Sequence, residues 1–99
     1  MKNFDYQQID DLIHSRIRLA IMSVLITVEE ANFNFIKKQI NATDGNLSVH
    51  LRKLEDAGYI SVKKEFENRK PVSKYKITRK GKKAFQAYIE KLEQLIKNK

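Results

Sequence analysis

Residues 43–60 read Thr-Asp-Gly-Asn-Leu-Ser-Val-His-Leu-Arg-Lys-Leu-Glu-Asp-Ala-Gly-Tyr-Ile, and their spacing decides the fold. Leu47, Leu51 and Leu54 recur at four and three residues, which places them on one side of a helix predicted over residues 44–57. The outward arc holds Gly45, Asn46, Val49, Arg52, Lys53 and Asp56, with Ser48 and His50 on its flanks. Short hydrogen-bonding groups gather near the start and cations follow. Small residues there allow close approach to a duplex, and Asn46 carries the donor and acceptor that an adenine edge needs. Ser48 suits a phosphate or a base, Val49 a thymine methyl, and Arg52 a guanine edge or a phosphate. An amphipathic surface helix with an ordinary polar face has the same periodicity.

Working outward, Gly58 ends that helix and residues 59–77 read as a β-hairpin. Ile60, Val62 and Phe66 alternate with Ser61, Lys63 and Glu65, and Ser73, Tyr75 and Ile77 return against Val72, Lys74 and Lys76. Glu67-Asn68-Arg69-Lys70-Pro71 forms the tip. Lys63, Lys64, Arg69, Lys70, Lys74 and Lys76 face only Glu65 and Glu67. An arginine at such a tip fits the minor groove while lysines hold phosphates, and Arg69 is the residue placed for it. Lysines on a solvated edge hairpin also guard against sheet-to-sheet aggregation.

Upstream, residues 41–45 form a tight turn, residues 36–40 a brief helix and residues 31–35 a small strand. A long first helix is expected over residues 9–29, with Ile13, Ile17, Ala20, Ile21, Val24 and Val28 on one face. Downstream, Thr78 is placed to cap a last helix over residues 79–97. Tyr59, Tyr75 and Phe85 read as core aromatics rather than base-stacking platforms.

The charge follows the same map. The 99 residues carry a formal net charge of +8, with a pI near 9.8. Residues 34–83 hold fourteen Lys/Arg against five Asp/Glu, whereas residues 1–33 hold three against five. Concentrating one sign on two elements is the footprint of a phosphate-binding surface, although a solvated basic face also carries lysines. The length allows one domain over residues 1–99. There is no cysteine, and His14 and His50 are far apart with no metal-ligand pattern. Neither a secretory signal nor a membrane-length apolar run appears, so a cytoplasmic protein is expected. No nucleophile turn, phosphate-cradling glycine loop or paired carboxylate supports an enzyme, and no cofactor is expected.

The whole order, helix, short helix, the 43–60 motif, basic hairpin, then Lys74-Tyr75-Lys76-Ile77-Thr78-Arg79-Lys80-Gly81, resembles the winged-helix regulators of the MarR and ArsR type. It is most similar to the small stand-alone winged-helix DNA-binding family of bacteria and archaea, over about residues 13–88. The resemblance implies an α+β winged helix-turn-helix fold: a three-helix core, a hairpin wing, and a C-terminal helix for dimerisation. It implies double-stranded DNA as partner, with Asn46, Ser48, Val49, Arg52 and Lys53 carried onto the recognition helix and Arg69 and Lys70 onto the wing tip; Thr43, His50, Lys63, Lys64 and Lys74 are expected at the same DNA-binding surface from their places on these elements. This chain lacks the cysteine ligands of metal-sensing ArsR-type proteins and the longer terminal helices of many MarR-type ones. The identity of any small-molecule effector stays open.

Dimerisation follows from the helices as well. Tyr88, Leu92, Leu95 and Ile96 near the C-terminus, with a second stripe of Leu12, Leu19, Met22 and Ile26, exceed what one such domain buries. A two-fold homodimer covers them and sets two recognition helices about 34 Å apart on a palindromic site. A monomer with a fraying last helix is the alternative. A winged-helix module that binds protein or RNA shares the outline without using the outward helix face on base edges.

Overall fold

Two short side chains decide where the first helix begins in the structure, a computed structural model that describes residues 5–97. The Asp10 carboxylate accepts from the amides of Leu12 at 2.9 Å and Ile13 at 3.2 Å, closing a turn where helix was expected. Ser15 then caps α1, its hydroxyl accepting from the Arg18 amide at 3.4 Å. Helix α1 therefore spans Arg16–Leu25 rather than residues 9–29, and Tyr6–Gln8 forms a single 3-10 turn ahead of it. Apolar periodicity ran on through both capping residues, which is why the sequence overstated the helix.

The next boundaries follow from asparagines. Strand β1 is only Ala31–Asn32, because Asn32 also caps α2, accepting from the Phe35 amide at 2.8 Å. Helix α2 consequently spans Phe33–Ile40, three residues earlier than expected, and ends where Asn41 turns left-handed at φ 56°. Helix α3 spans Asp44–Asp56, with Thr43 as its cap. Strands β2 (Ile60–Glu67) and β3 (Lys70–Ile77) form the hairpin, and α4 spans Arg79–Lys97. The antiparallel sheet has the order β1-β3-β2, in register from Ile60 opposite Ile77 to Glu67 opposite Lys70.

The core lies where α1, α2, α3 and the base of the hairpin meet. Ile21, Met22 and Leu25 of α1 pack with Ile36 of α2, Leu47, Leu51 and Leu54 of α3, and Ile60 and Ile77 of the sheet. Each such side chain, withdrawn from water, stabilises the fold by about 1.5–3 kcal/mol. Met22, expected on a seam between copies, is fully buried in its own chain. Its stripe partners Leu12 and Ile26 are half-buried against the same core, and Leu19 is half-buried. Tyr59, Tyr75 and Phe85 pack on the core as expected.

A joint ties α3, the hairpin and α4 together. Past Gly58, at φ 80°, the Tyr59 amide donates back to the Leu54 carbonyl at 3.0 Å. Tyr59's own carbonyl accepts from the Thr78 amide at 3.0 Å. The Thr78 hydroxyl donates to the Gly58 carbonyl at 2.6 Å and accepts from the Gly81 amide at 3.0 Å, so one side chain both caps α4 and grips the end of α3. Lys80 donates to the Ala57 carbonyl at 2.8 Å.

The front of α3 is held to α1 by a second polar contact. The guanidinium of Arg18 lies 2.8 Å from Nδ1 of His50. Arginine only donates, so the imidazole accepts there and carries its proton on Nε2. Burial, then the nearby charges of Arg18 and Lys53, hold the His50 pKa below its ordinary 6.5.

Two outcomes test this framework. A Cβ on Gly81 would collide with the Tyr59 carbonyl oxygen, whereas one on Gly45 meets nothing within 4 Å. Gly81→Ala should therefore lose about 2–4 kcal/mol in denaturant melts, and Gly45→Ala should gain up to about 1 kcal/mol. The folded chain releases a proton from His50 that the unfolded chain retains. Stability from this site is complete above about pH 6.5 and is lost as pH falls through the lowered pKa. Thermal melts of His50→Gln should fall less than wild type between about pH 7 and pH 5.

Candidate nucleic-acid interface

The leucine spacing turns α3 so that its polar arc meets solvent. Leu47, Leu51 and Leu54 are buried, and Asn46, Ser48, Val49, Arg52 and Lys53 are exposed. Val49 is 54% exposed, an apolar side chain in the middle of that arc with no covering element. Arg52 lies 3.6 Å from Asp56 one turn on, both well exposed, a contact too weak to hold the guanidinium from another anion. The Ser48 hydroxyl donates to the Gly45 carbonyl at 3.2 Å.

Two residues expected at the same surface have structural duties. Thr43 uses its hydroxyl to accept from the Asn46 amide at 3.2 Å, and His50 is half-buried against Arg18. Their contribution to the arc is to set α3's start and its contact with α1. The sequence reading missed Arg16 and Arg18, because the first third of the chain is net acidic. The start of α1 brings Arg16 to the rim of an open cleft lined also by Thr43, Asn46 and His50.

The hairpin's six cations divide into paired and unpaired ones. Lys74 sits among three carboxylates, 2.9 Å from Glu67, 3.2 Å from Glu65 and 4.0 Å from Glu30. Hydrogen bonds to Glu67 and Glu65 raise its pKa, and those from Lys63 and Lys74 lower that of Glu65. Lys63 pairs with Glu65 at 3.1 Å. Lys74 staples the two strands, whereas Lys63 pairs within its own strand, and at either one a phosphate would compete with a carboxylate already in place. Lys64, Arg69, Lys70 and Lys76 make no ion pair among the described residues.

The tip itself is a two-residue turn. Asn68 and Arg69 both have positive φ, 52° and 67°, which matches the twist of the strands. Asparagine tolerates this region and glycine prefers it, but arginine is strained there. Strain of this kind persists where the side chain has a use.

The last helix leaves the body. Tyr88, expected at a dimer seam, is 3% exposed in its own chain, its hydroxyl 2.8 Å from Nδ1 of His14. Leu92 is half-buried, while Ile89, Leu95 and Ile96 are 37, 46 and 64% exposed. The molecule measures 59 × 25 × 21 Å, longer than a sphere of this chain length. No helix among the described residues is long and apolar enough to cross a membrane, and no cluster of metal-ligating side chains forms among them.

The comparisons agree with this geometry. Residues 17–96 match the model of the winged helix DNA-binding domain family. An uncharacterised protein of Methanocaldococcus jannaschii is 40% identical over 87 residues, covering 88% of this chain and 95% of that one. The solved structure of a transcriptional regulator homologue from Pyrococcus horikoshii superposes with a TM-score of 0.82 at 30% identity, over 88% of this chain and 86% of that one. A MarR-family transcriptional regulator from Silicibacter pomeroyi shares the fold alone, with a TM-score of 0.64 at 13% identity over 87% of this chain and 60% of that one. With its recognition helix, wing and terminal helix in the order these proteins share, the chain belongs to the winged-helix DNA-binding domain family.

Proposed function

We propose that the protein is a sequence-specific transcription regulator that acts in the cytoplasm as a homodimer on a palindromic duplex site. The observation that carries this reading is the exposed arc of Asn46, Val49, Arg52 and Lys53 on a helix whose other side is locked into the core. That arc enters the major groove, with Asn46, Val49 and Arg52 at base edges and Ser48 and Lys53 at phosphates. Arg16 extends the phosphate contacts from the α1 side. The wing lies over the adjacent minor groove with Arg69 leading, and Lys64 and Lys70 hold its backbone.

The exposed Ile89, Leu95 and Ile96, in one stripe with half-buried Leu92, support a second copy as the partner of α4. Pairing two such stripes about a two-fold axis withdraws them from water and sets the recognition helices one turn of DNA apart. Met22 and Tyr88, already buried, take no direct part in that seam.

Selection from a random duplex pool tests the reading directly. The expected product is an inverted repeat whose half-sites are centred about 10 base pairs apart. Charge reversal of Arg52 and Lys53 should abolish enrichment while leaving the melting temperature within about 2 °C of wild type. Retained enrichment would remove α3 from the interface. Arg69→Gly should move two quantities in opposite directions. It should raise the melting temperature by about 2–5 °C by relieving the left-handed strain. It should also weaken binding and reduce the dependence of log K on log salt by about one.

A further inference from the structure

The wing carries one large apolar side chain that the fold does not use. Phe66 is 78% exposed, the most exposed of the large hydrophobic side chains among the described residues. Its position follows from register. Alternate residues of a strand share a face, so Ile60, Val62, Lys64 and Phe66 of β2 lie on one side of the sheet. Their partners Ile77, Tyr75, Ser73 and Pro71 of β3 lie on that side too. At the base this face is the core, with Ile60 2% and Ile77 7% exposed. Val62 and Tyr75 are half-buried, and at the tip Phe66 and Pro71 are exposed. An apolar face built for burial thus runs beyond the body of the protein.

That face is also the one turned toward α3, whose leucines pack under Ile60. A duplex lying along the outer arc of α3 passes on this side of the wing. Both sides of the hairpin are cationic. The far side holds Glu65 and Glu67 paired with Lys63 and Lys74, and also Lys70 and Lys76, which make no ion pair among the described residues. The near side has Lys64 and no carboxylate, with unpaired Arg69 next to it in the turn. Cations around an exposed aromatic ring attract a polyanion and repel a second copy carrying the same cations. Pro71 removes a backbone donor and adds a rigid apolar neighbour, directly opposite Phe66.

We propose that Phe66 is an apolar wedge: it enters the minor groove of duplex DNA beside Arg69 and presses into a base step, so that the deformability of the DNA becomes part of what the protein recognises. This rests on the DNA-binding reading above and adds a contact that reads stacking rather than charge. Flexible pyrimidine–purine steps such as TA open most readily to such a side chain.

The chain has no tryptophan, so Phe66→Trp places a single fluorescent reporter at the tip. Titrating a short A·T-rich duplex with TA steps into this variant should quench the indole emission as it stacks on bases. A G·C-only duplex should quench it less. Phe66→Ala should weaken binding to the TA-containing duplex roughly tenfold with the salt dependence unchanged, because no charge is lost. End-to-end energy transfer across the duplex should show a smaller bend with Phe66→Ala than with wild type. If wild type binds while the indole emission stays constant and Phe66→Ala binds equally well, the wedge is overturned and the DNA-binding reading stands. If Phe66→Ala alters sedimentation but not DNA affinity, the ring belongs to a contact between copies and the wedge is overturned. If wild type binds no duplex at low salt, the DNA-binding reading fails and the wedge with it.

Discussion

The carbonyl of Tyr59 is the point on which three elements converge. It accepts from Thr78 at the end of the hairpin, and Gly81 lets the first turn of α4 press against it. The same Thr78 hydroxyl holds the Gly58 carbonyl at the end of α3. The end of the recognition helix, the base of the wing and the start of the last helix are therefore fixed within a few residues of one another. A shift in any of them would leave backbone donors and acceptors unpaired, which is costly where water is excluded. The position of the hairpin relative to α3 is set by this joint.

The polar surface divides between groups that hold the protein together and groups that are available to a partner. Lys63 and Lys74, His50 and Thr43 belong to the first kind, each already engaged by a carboxylate, a guanidinium or a backbone amide. Lys64, Arg69 and Lys70, with the outer arc of α3, belong to the second. On the hairpin, carboxylates engage Lys63 and Lys74, while Lys64, Arg69, Lys70 and Lys76 make no ion pair among the described residues, so the wing stays cationic. A net charge of +8 thus becomes a directed field rather than a diffuse one. The aromatic ring of Phe66 lies on the face that carries Lys64 and no carboxylate of the hairpin.

Much of the architecture could be read from spacing. The leucine repeat of α3 and the alternation of β2 and β3 appeared in the structure at almost the expected bounds, and α4 at the expected ones. Long amphipathic patterns announce themselves because burial imposes one period over many residues. The errors came where a single polar side chain overruled the pattern. Asp10 and Ser15 delayed α1, and Asn32 converted most of an expected strand into helix. Such caps act through one or two hydrogen bonds, which periodicity does not register.

By itself the sequence determined the order of elements, the inward leucines, the outward arc of α3 and the concentration of positive charge after residue 33. These properties depend on neighbours in the chain, and a local period is enough to set them. Only the tertiary structure decided which residues of that surface are free. Met22 and Tyr88 went into the core, Lys74 into a cage of carboxylates and His50 against Arg18. Phe66 was left in the open. Each of these outcomes depends on side chains far apart in the chain meeting across the fold, and no period along the chain encodes such a meeting.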